Sequence, residues 1–290
     1  MNTQRSVIVT GANRGIGFAT ARALAARGAH VILAVRDLKG GEQAASSLRA
    51  AFKDASIEVM KLDLASLESV RAFAAEYRAS GRALHVLINN AGPINAKRKL
   101  ELTPDGFETF FGVNHLGHFL LTNLLLPVLK ASVPSRVITV SSLRHTGAKS
   151  FDWDNLKGEK SYDQGAFYNR TKLANLWFCY ALARRLEGSG VTSVAACPGF
   201  VPQTLMVGRT GFSKLMFEVL DWMPFARKPQ ESGDEFARIA LDADYAGANG
   251  TFYSYGKITT SSELSHDQDN QERLWALSEK LVGLEPVTLS

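Results

Sequence analysis

Short runs of β-branched and aliphatic residues alternate along this chain with longer amphipathic segments, and that alternation restricts the fold more than any other feature. Val7 to Val9 reads as a strand and Gly15 to Arg27 as a helix, and His30 to Val35 followed by Glu42 to Phe52 repeats the pair. Ile57 to Leu62, Leu67 to Ser80 and Val86 to Asn89 continue the pattern. A long helix is expected over Thr103 to Lys130, kinked or broken before Pro127, whose ring removes an N–H and crowds the preceding turn. Arg136 to Ser141, a helix near Tyr168 to Glu187, Thr192 to Cys197, a helix near Gln230 to Asp242 and a late strand from Gly250 to Tyr255 complete the series. Strands that alternate with helices predict a mostly parallel sheet covered on both faces.

No repeat, low-complexity tract or Gly/Ser linker divides the chain, so one domain over residues 1–290 is expected. Two stretches break the rhythm, roughly 144–166 and 202–229; long irregular pieces of this kind are often functional loops. The second carries Leu215, Met216, Val219, Leu220 and Met223 at helical spacing, which fits either core or a lid over an apolar substrate. A C-terminal extension follows from 257 to 290.

The net charge is +5, yet the basic residues are dispersed and their densest cluster is Lys97-Arg98-Lys99, so nucleic acid is not an expected partner. Cys179 and Cys197 lie in apolar stretches without metal-ligand spacing, which predicts buried free thiols, a reducing compartment and no metal site. His115 and His118 have no third ligand spaced for a metal and read as packing residues. The apolar runs Phe119 to Leu121 and Leu124 to Leu129 are too short to span a bilayer, and no leader precedes Val7; a cytoplasmic, soluble protein is expected.

The first strand runs directly into Thr10-Gly11-Ala12-Asn13-Arg14-Gly15-Ile16-Gly17, which opens the first helix. Glycines there let the backbone turn tightly beneath a pyrophosphate, whose charge suits the exposed N–H groups of a helix N-terminus. At the first βα junction this turn predicts a dinucleotide cofactor in a Rossmann-type, doubly wound, three-layer αβα domain with seven strands. Arg36 stands just after the second strand, where arginine accommodates a 2′-phosphate, and Arg14 is placed to reach the same group; the pair predicts NADP(H). Asp37 suits a cap for the next helix. Asp63-Leu64 fits either an adenine contact or a helix cap, and Asn90-Ala91-Gly92 a polar turn on the cofactor side.

Tyr168 and Lys172 lie four apart, on one face of a helix. A free phenol near pH 10 is a poor acid–base group, and a neighbouring ammonium is expected to lower that value. Ser141-Ser142 ends the fifth strand, at the carboxyl edge where open α/β sheets bind ligands. Ser142, the later of the two, clears the strand and is placed to hold a substrate oxygen. His145 borders the same region or makes a structural turn.

The ordered set of glycine turn, Asn89-Asn90-Ala91-Gly92, Asn114, Ser141-Ser142, Tyr168-x-x-x-Lys172 and Pro198-Gly199 resembles the short-chain dehydrogenase/reductase family over about residues 6 to 256. The resemblance implies Asn114 as a fourth catalytic member, its helix-kink carbonyl holding a water that relays protons to Lys172. It also implies Pro198, Gly199 and Val201 beside the nicotinamide and Thr204 near the phosphates. Val113 to Phe119, the 26-residue step from Ser142 to Tyr168, and Arg273 to Lys280 are similar to the branch that holds retinol dehydrogenases and light-dependent protochlorophyllide reductases. Phe200 stands where those photoenzymes carry cysteine, and Ser142 where they typically carry threonine. The expected activity is therefore interconversion of a carbonyl and an alcohol on a lipophilic small molecule. The alternatives are reduction of a carbon–carbon double bond, light-driven or not, and non-catalytic dinucleotide binding. The resemblance leaves assembly open between monomer and homo-oligomer.

Overall fold

The inner strands of the sheet are buried on both faces, which is why they read as nearly unbroken apolar runs. In chain order they are β1 (Ser6–Thr10), β2 (His30–Val35), β3 (Ser56–Lys61), β4 (Val86–Asn89), β5 (Ser135–Val140), β6 (Val191–Cys197) and β7 (Thr251–Ser254). The structure is a computed structural model that describes residues 4–93, 99–205, 223 and 226–285, apart from the side chains of residues 204 and 205. All seven strands are parallel, in the order β3-β2-β1-β4-β5-β6-β7. An eighth, β8 (Lys257–Ile258), pairs antiparallel with β7 at the edge, so the expected seven-stranded sheet has eight. Two residues are too few to carry a strand pattern, which is why the sequence does not announce β8.

Helices α1 (Gly15–Ala26), α2 (Leu38–Ala51) and α7 (Pro229–Leu241) cover one face, where Leu24, Leu48 and Phe236 share a core with Val7 and Val31. Helices α3 (Leu67–Ala79), α4 (Gly117–Ala131), α5 (Gln164–Arg185) and α8 (Gln268–Val282) cover the other, around Phe73, Phe119, Trp177 and Trp275. A short helix, α6 (Pro202–Leu205), follows β6. Helix α5 is buried all round from Thr171 to Ala183, because α8 and the turn before it cover its outer side. Trp177 Nε1 donates to the Leu264 carbonyl at 2.8 Å, and Phe178 stacks on Trp275.

Two helices depart from expectation. α2 starts at Leu38 rather than Glu42, because Asp37 accepts the Lys39 N–H and caps it there. The long helix expected from Thr103 begins near Thr109 and changes pitch at a π-helical segment, Phe111–Leu116, instead of breaking before Pro127. Pro127 sits exposed inside α4, where water can satisfy the carbonyl it orphans. The expected lid over 202–229, including Leu215, Met216, Val219 and Leu220, lies almost wholly outside the described residues, as do Lys97 and Arg98. Among the described residues no helix is long and apolar enough to cross a membrane, and no three metal-ligating side chains cluster. Cys179 and Cys197 are both free and buried, as expected.

Candidate active site

Strand order reverses between β1 and β4, and the loops leaving their carboxyl ends meet there, opening the crevice where such sheets take ligands. Thr10, the last residue of β1, is fully buried, and its hydroxyl accepts the N–H groups of Asn90 and Ala91, each at 2.9 Å. Asn90 Nδ2 returns a bond of 2.8 Å to the Thr10 carbonyl. The two turns are thus one hydrogen-bonded unit. Gly17 is dictated by close approach: a Cβ there would lie 2.3 Å from the Gly11 carbonyl oxygen and 2.6 Å from Asn90 Nδ2. Gly92 is dictated in the same way, since its Cβ would fall 2.4 Å from Asn114 Oδ1. Gly11 and Gly15 sit at positive φ in the same turn, and the backbone of Arg14 is the N-cap of α1, with Asn13 and Ile16 on either side.

Arg14 and Arg36 are both exposed at the rim of this crevice, and among the described residues neither guanidinium has an ion-pair partner. The Arg36 carbonyl accepts Lys61 Nζ, which brings a third cation to the same edge. Asp63 neither caps α3, which is the role of Ser66, nor leaves its carboxylate wholly free: Oδ1 accepts the Ala65 N–H at 3.0 Å. Leu64 has its side chain in the core.

At the end of β5 the two serines separate by role. Ser141 Oγ is buried and donates to the Lys172 carbonyl at 2.7 Å, which fastens α5 to the strand. Ser142 caps a 3-10 turn, Leu143–Gly147: its hydroxyl accepts the Arg144 N–H at 3.2 Å and acts on the Tyr168 phenol, opposing its upward shift. His145, in that turn, is buried with both ring nitrogens engaged: Nδ1 donates to the Ser142 carbonyl at 2.7 Å, and Nε2 accepts the Ser262 N–H at 3.1 Å.

The ammonium of Lys172 lies 5.6 Å from the Tyr168 ring centroid and donates to the Val140 carbonyl at 3.2 Å. Burial pushes the phenol up to about 12, partly countered by the Ser142 hydroxyl and the charge of Arg144. Burial also brings Lys172 down to about 8. The expected downward shift of the phenol is therefore not a property of the protein alone. Withdrawal from water outweighs the neighbouring cations. Asn114 sits in the π-helical segment, fully buried, with Nδ2 3.4 Å from Thr171 Oγ1 and Oδ1 without a partner. Phe110 meets Tyr168 edge-on at 5.6 Å and holds the ring from the helix side.

Ser142 lines a cavity of about 300 Å³, with Leu143, Arg144, Asn169, Phe200 and Tyr255 among its other walls. The Pro198 carbonyl accepts from Arg227 Nη1 at 3.2 Å and Ser232 Oγ at 2.8 Å, and Val201 is buried behind it. Arg227 pairs with buried Glu235 at 2.7 Å and lies over the Tyr255 ring. The sequence reading missed Arg227, Glu235 and Tyr255, which sit on isolated positions with no spacing signal. The side chain of Thr204 is outside the described residues.

Comparison with known proteins gives four findings. Residues 5–211 match the short chain dehydrogenase family. Retinol dehydrogenase 12 of Homo sapiens is 43% identical over 278 residues, which is 96% of this chain and 86% of that protein. A solved structure of an uncharacterised protein from Mycobacterium Paratuberculosis shares 37% identity and a TM-score of 0.75, covering 97% of this chain and 94% of that one. The L-sorbose reductase of Gluconobacter frateurii, solved with NADPH and L-sorbose, has the same fold at 22% identity, with a TM-score of 0.70 over 87% of this chain and 94% of that one.

Proposed function

Because this chain belongs to the short-chain dehydrogenase family, in the retinol dehydrogenase branch, we propose that it interconverts a carbonyl and an alcohol on a lipophilic small molecule with NADP(H). The observation that carries the reading is the convergence of Ser142, Tyr168, Lys172 and Asn114 at the end of β5 beside the cavity.

The residues present fit a dinucleotide. Gly17 packs against the Gly11 carbonyl and Asn90, which holds the turn tight, and the N–H groups opening α1 suit a pyrophosphate. Arg14 and Arg36, without ion-pair partners among the described residues, suit a 2′-phosphate, which favours NADP(H) over NAD(H). Asp63 would meet the adenosine end, Asn90, Ala91 and Gly92 would form a polar turn along the cofactor, Pro198, Gly199 and Val201 would stand on the nicotinamide side, and Thr204 near the phosphates. When bound, the cofactor supplies or accepts the hydride.

The protein's part is proton handling. With its phenol held near 12, Tyr168 is protonated at neutral pH and is set to give a proton to a carbonyl oxygen. Ser142 donates to the same oxygen as negative charge develops on it. Lys172, buried and cationic below about pH 8, favours charge on the phenol once the proton has left, and Asn114 anchors the path by which the proton is replaced. Leu143, Phe200 and Tyr255 at the mouth support an apolar substrate.

The test is retinaldehyde reduction by the purified chain with NADPH, wild type against Tyr168→Phe. Loss of at least about 100-fold in kcat with NADPH binding retained is expected. Undiminished turnover in the variant would overturn the assignment of the proton donor.

A further inference from the structure

We propose that His118 is a positioning residue that holds the main-chain carbonyl of Asn114 and ties it to the nucleotide-binding turn through Thr10. The inference rests on the proton-path reading above and adds to it a residue that the spacing argument set aside as packing.

Counting protons at Thr10 fixes the arrangement. Its hydroxyl accepts two N–H groups, from Asn90 and Ala91, which occupy both lone pairs. One proton remains to be given, and the nearer acceptor is His118 Nε2 at 2.9 Å, against the Ile88 carbonyl at 3.3 Å. Nε2 is therefore the bare nitrogen, and the ring carries its hydrogen on Nδ1. That hydrogen points at the Asn114 carbonyl, 3.2 Å away. The ring is buried, and burial together with the nearby Lys172 charge, opposed by the bond to Asn114, brings it down to about 4, so it stays neutral at physiological pH.

Both ring nitrogens thus serve elements of the site. One fixes the carbonyl of a residue in the π-helical segment, and the other ends on the hydroxyl that locks the two cofactor turns together. His115, three residues earlier, is a useful contrast. Its Nε2 pairs with Ser278 on α8 and its Nδ1 has no partner, so it fastens α4's entry to the outer layer and touches neither turn. The bond from His118 fixes the direction of the Asn114 carbonyl, and with it the geometry of the proton path to Lys172.

Two substitutions divide the ring's duties. Asparagine places its amide nitrogen near the position of Nδ1 and keeps the donor to Asn114 while losing Thr10. Glutamine reaches the position of Nε2 and keeps Thr10 while losing Asn114. His118→Asn should retain kcat for retinaldehyde within about threefold and weaken NADPH binding by about three- to tenfold. His118→Gln should show the reverse, with kcat down by about tenfold and NADPH affinity near wild type. Equal losses of both quantities in both variants would mean a structural role alone and would overturn the proposal.

A measurement that needs no turnover stands beside the kinetics. Nitrogen-15 NMR of histidine-labelled protein with NADPH should show His118 as the Nδ1–H tautomer, with an unprotonated Nε2. An Nε2–H tautomer overturns the proposal directly. If the wild type binds NADPH yet reduces no aldehyde in an aliphatic and isoprenoid panel, the reading of carbonyl chemistry falls and takes this proposal with it. If the wild type turns over and His118→Gln matches it, only the proposal falls.

Discussion

Lys172 is 6% exposed, and its ammonium is brought from an ordinary 10.5 to about 8 by burial. At about 1.4 kcal/mol per pH unit, that difference means the folded protein holds the charge at a cost of about 3 kcal/mol near neutrality. Lys172→Met keeps the apolar stem and removes the charge. It also removes the bond from Nζ to the Val140 carbonyl, worth about 1–2 kcal/mol, but that carbonyl still accepts from Asn175 Nδ2 at 3.1 Å. The variant should therefore be inactive and more stable than wild type by about 1–2 kcal/mol at pH 7. The sign with pH follows from proton counting. Below pH 8 lysine is protonated in both states and the full cost is present. Between about 8 and 10.5 the unfolded chain holds a proton the folded one has released, so wild type gains stability relative to the variant and the gap closes. Only the difference between the two proteins is diagnostic. Cys179, Tyr77 and Tyr168, each raised to about 12 chiefly by burial, pull absolute stability down as the unfolded chain ionises above its ordinary values. Urea denaturation followed by tryptophan fluorescence at pH 7, 8 and 9.5 measures the gap, provided m is unchanged. A variant less stable than wild type at pH 7, or a gap that does not vary with pH, refutes the reasoning.

Two further outcomes are expected. Arg36→Ala should weaken NADPH by about 10- to 100-fold, the worth of one charge-assisted contact, and leave NADH within about twofold. Equal losses for both nucleotides in a nicotinamide-fluorescence titration would remove Arg36 from the 2′-phosphate site. Gly92→Ala drives a methyl to 2.4 Å from Asn114 Oδ1, so it should cost about 1–3 kcal/mol and lower kcat with it; a wild-type melting temperature would show that Asn114 moves aside freely.

What the chain announces in advance is what periodicity and turn chemistry encode. β1, β2 and β4 are near-continuous apolar runs because both faces are covered, and Gly11 and Gly15 stand at a junction whose backbone runs at positive φ. Ser142, Tyr168 and Lys172 were legible because strand end and helix spacing each fix a direction. The π-helical segment was not, since an extra residue per turn changes hydrogen-bond registry and leaves composition untouched. Pro127 drew attention to the wrong place because a proline on an exposed helix face costs less than one in the interior. The raised phenol escaped for a different reason. Spacing brings a cation near, and only the packed structure shows how little water remains.

Helix α8 and the turn before it have a consequence for how the molecule is made. Ser262, Leu264 and Ser278 leave the ribosome after every residue assigned here to cofactor or chemistry, yet they meet His145, Trp177 and His115 beneath those residues. A nascent chain that has emerged to Thr204 holds all the proposed chemical groups with the underside of α5 still wet. A stop codon late in the message would delete none of those groups. It would leave three buried ring nitrogens without partners and an aromatic face, Phe119 and Phe178, open to solvent. The underside of α5 is thus completed only when α8 and the turn before it have folded onto it.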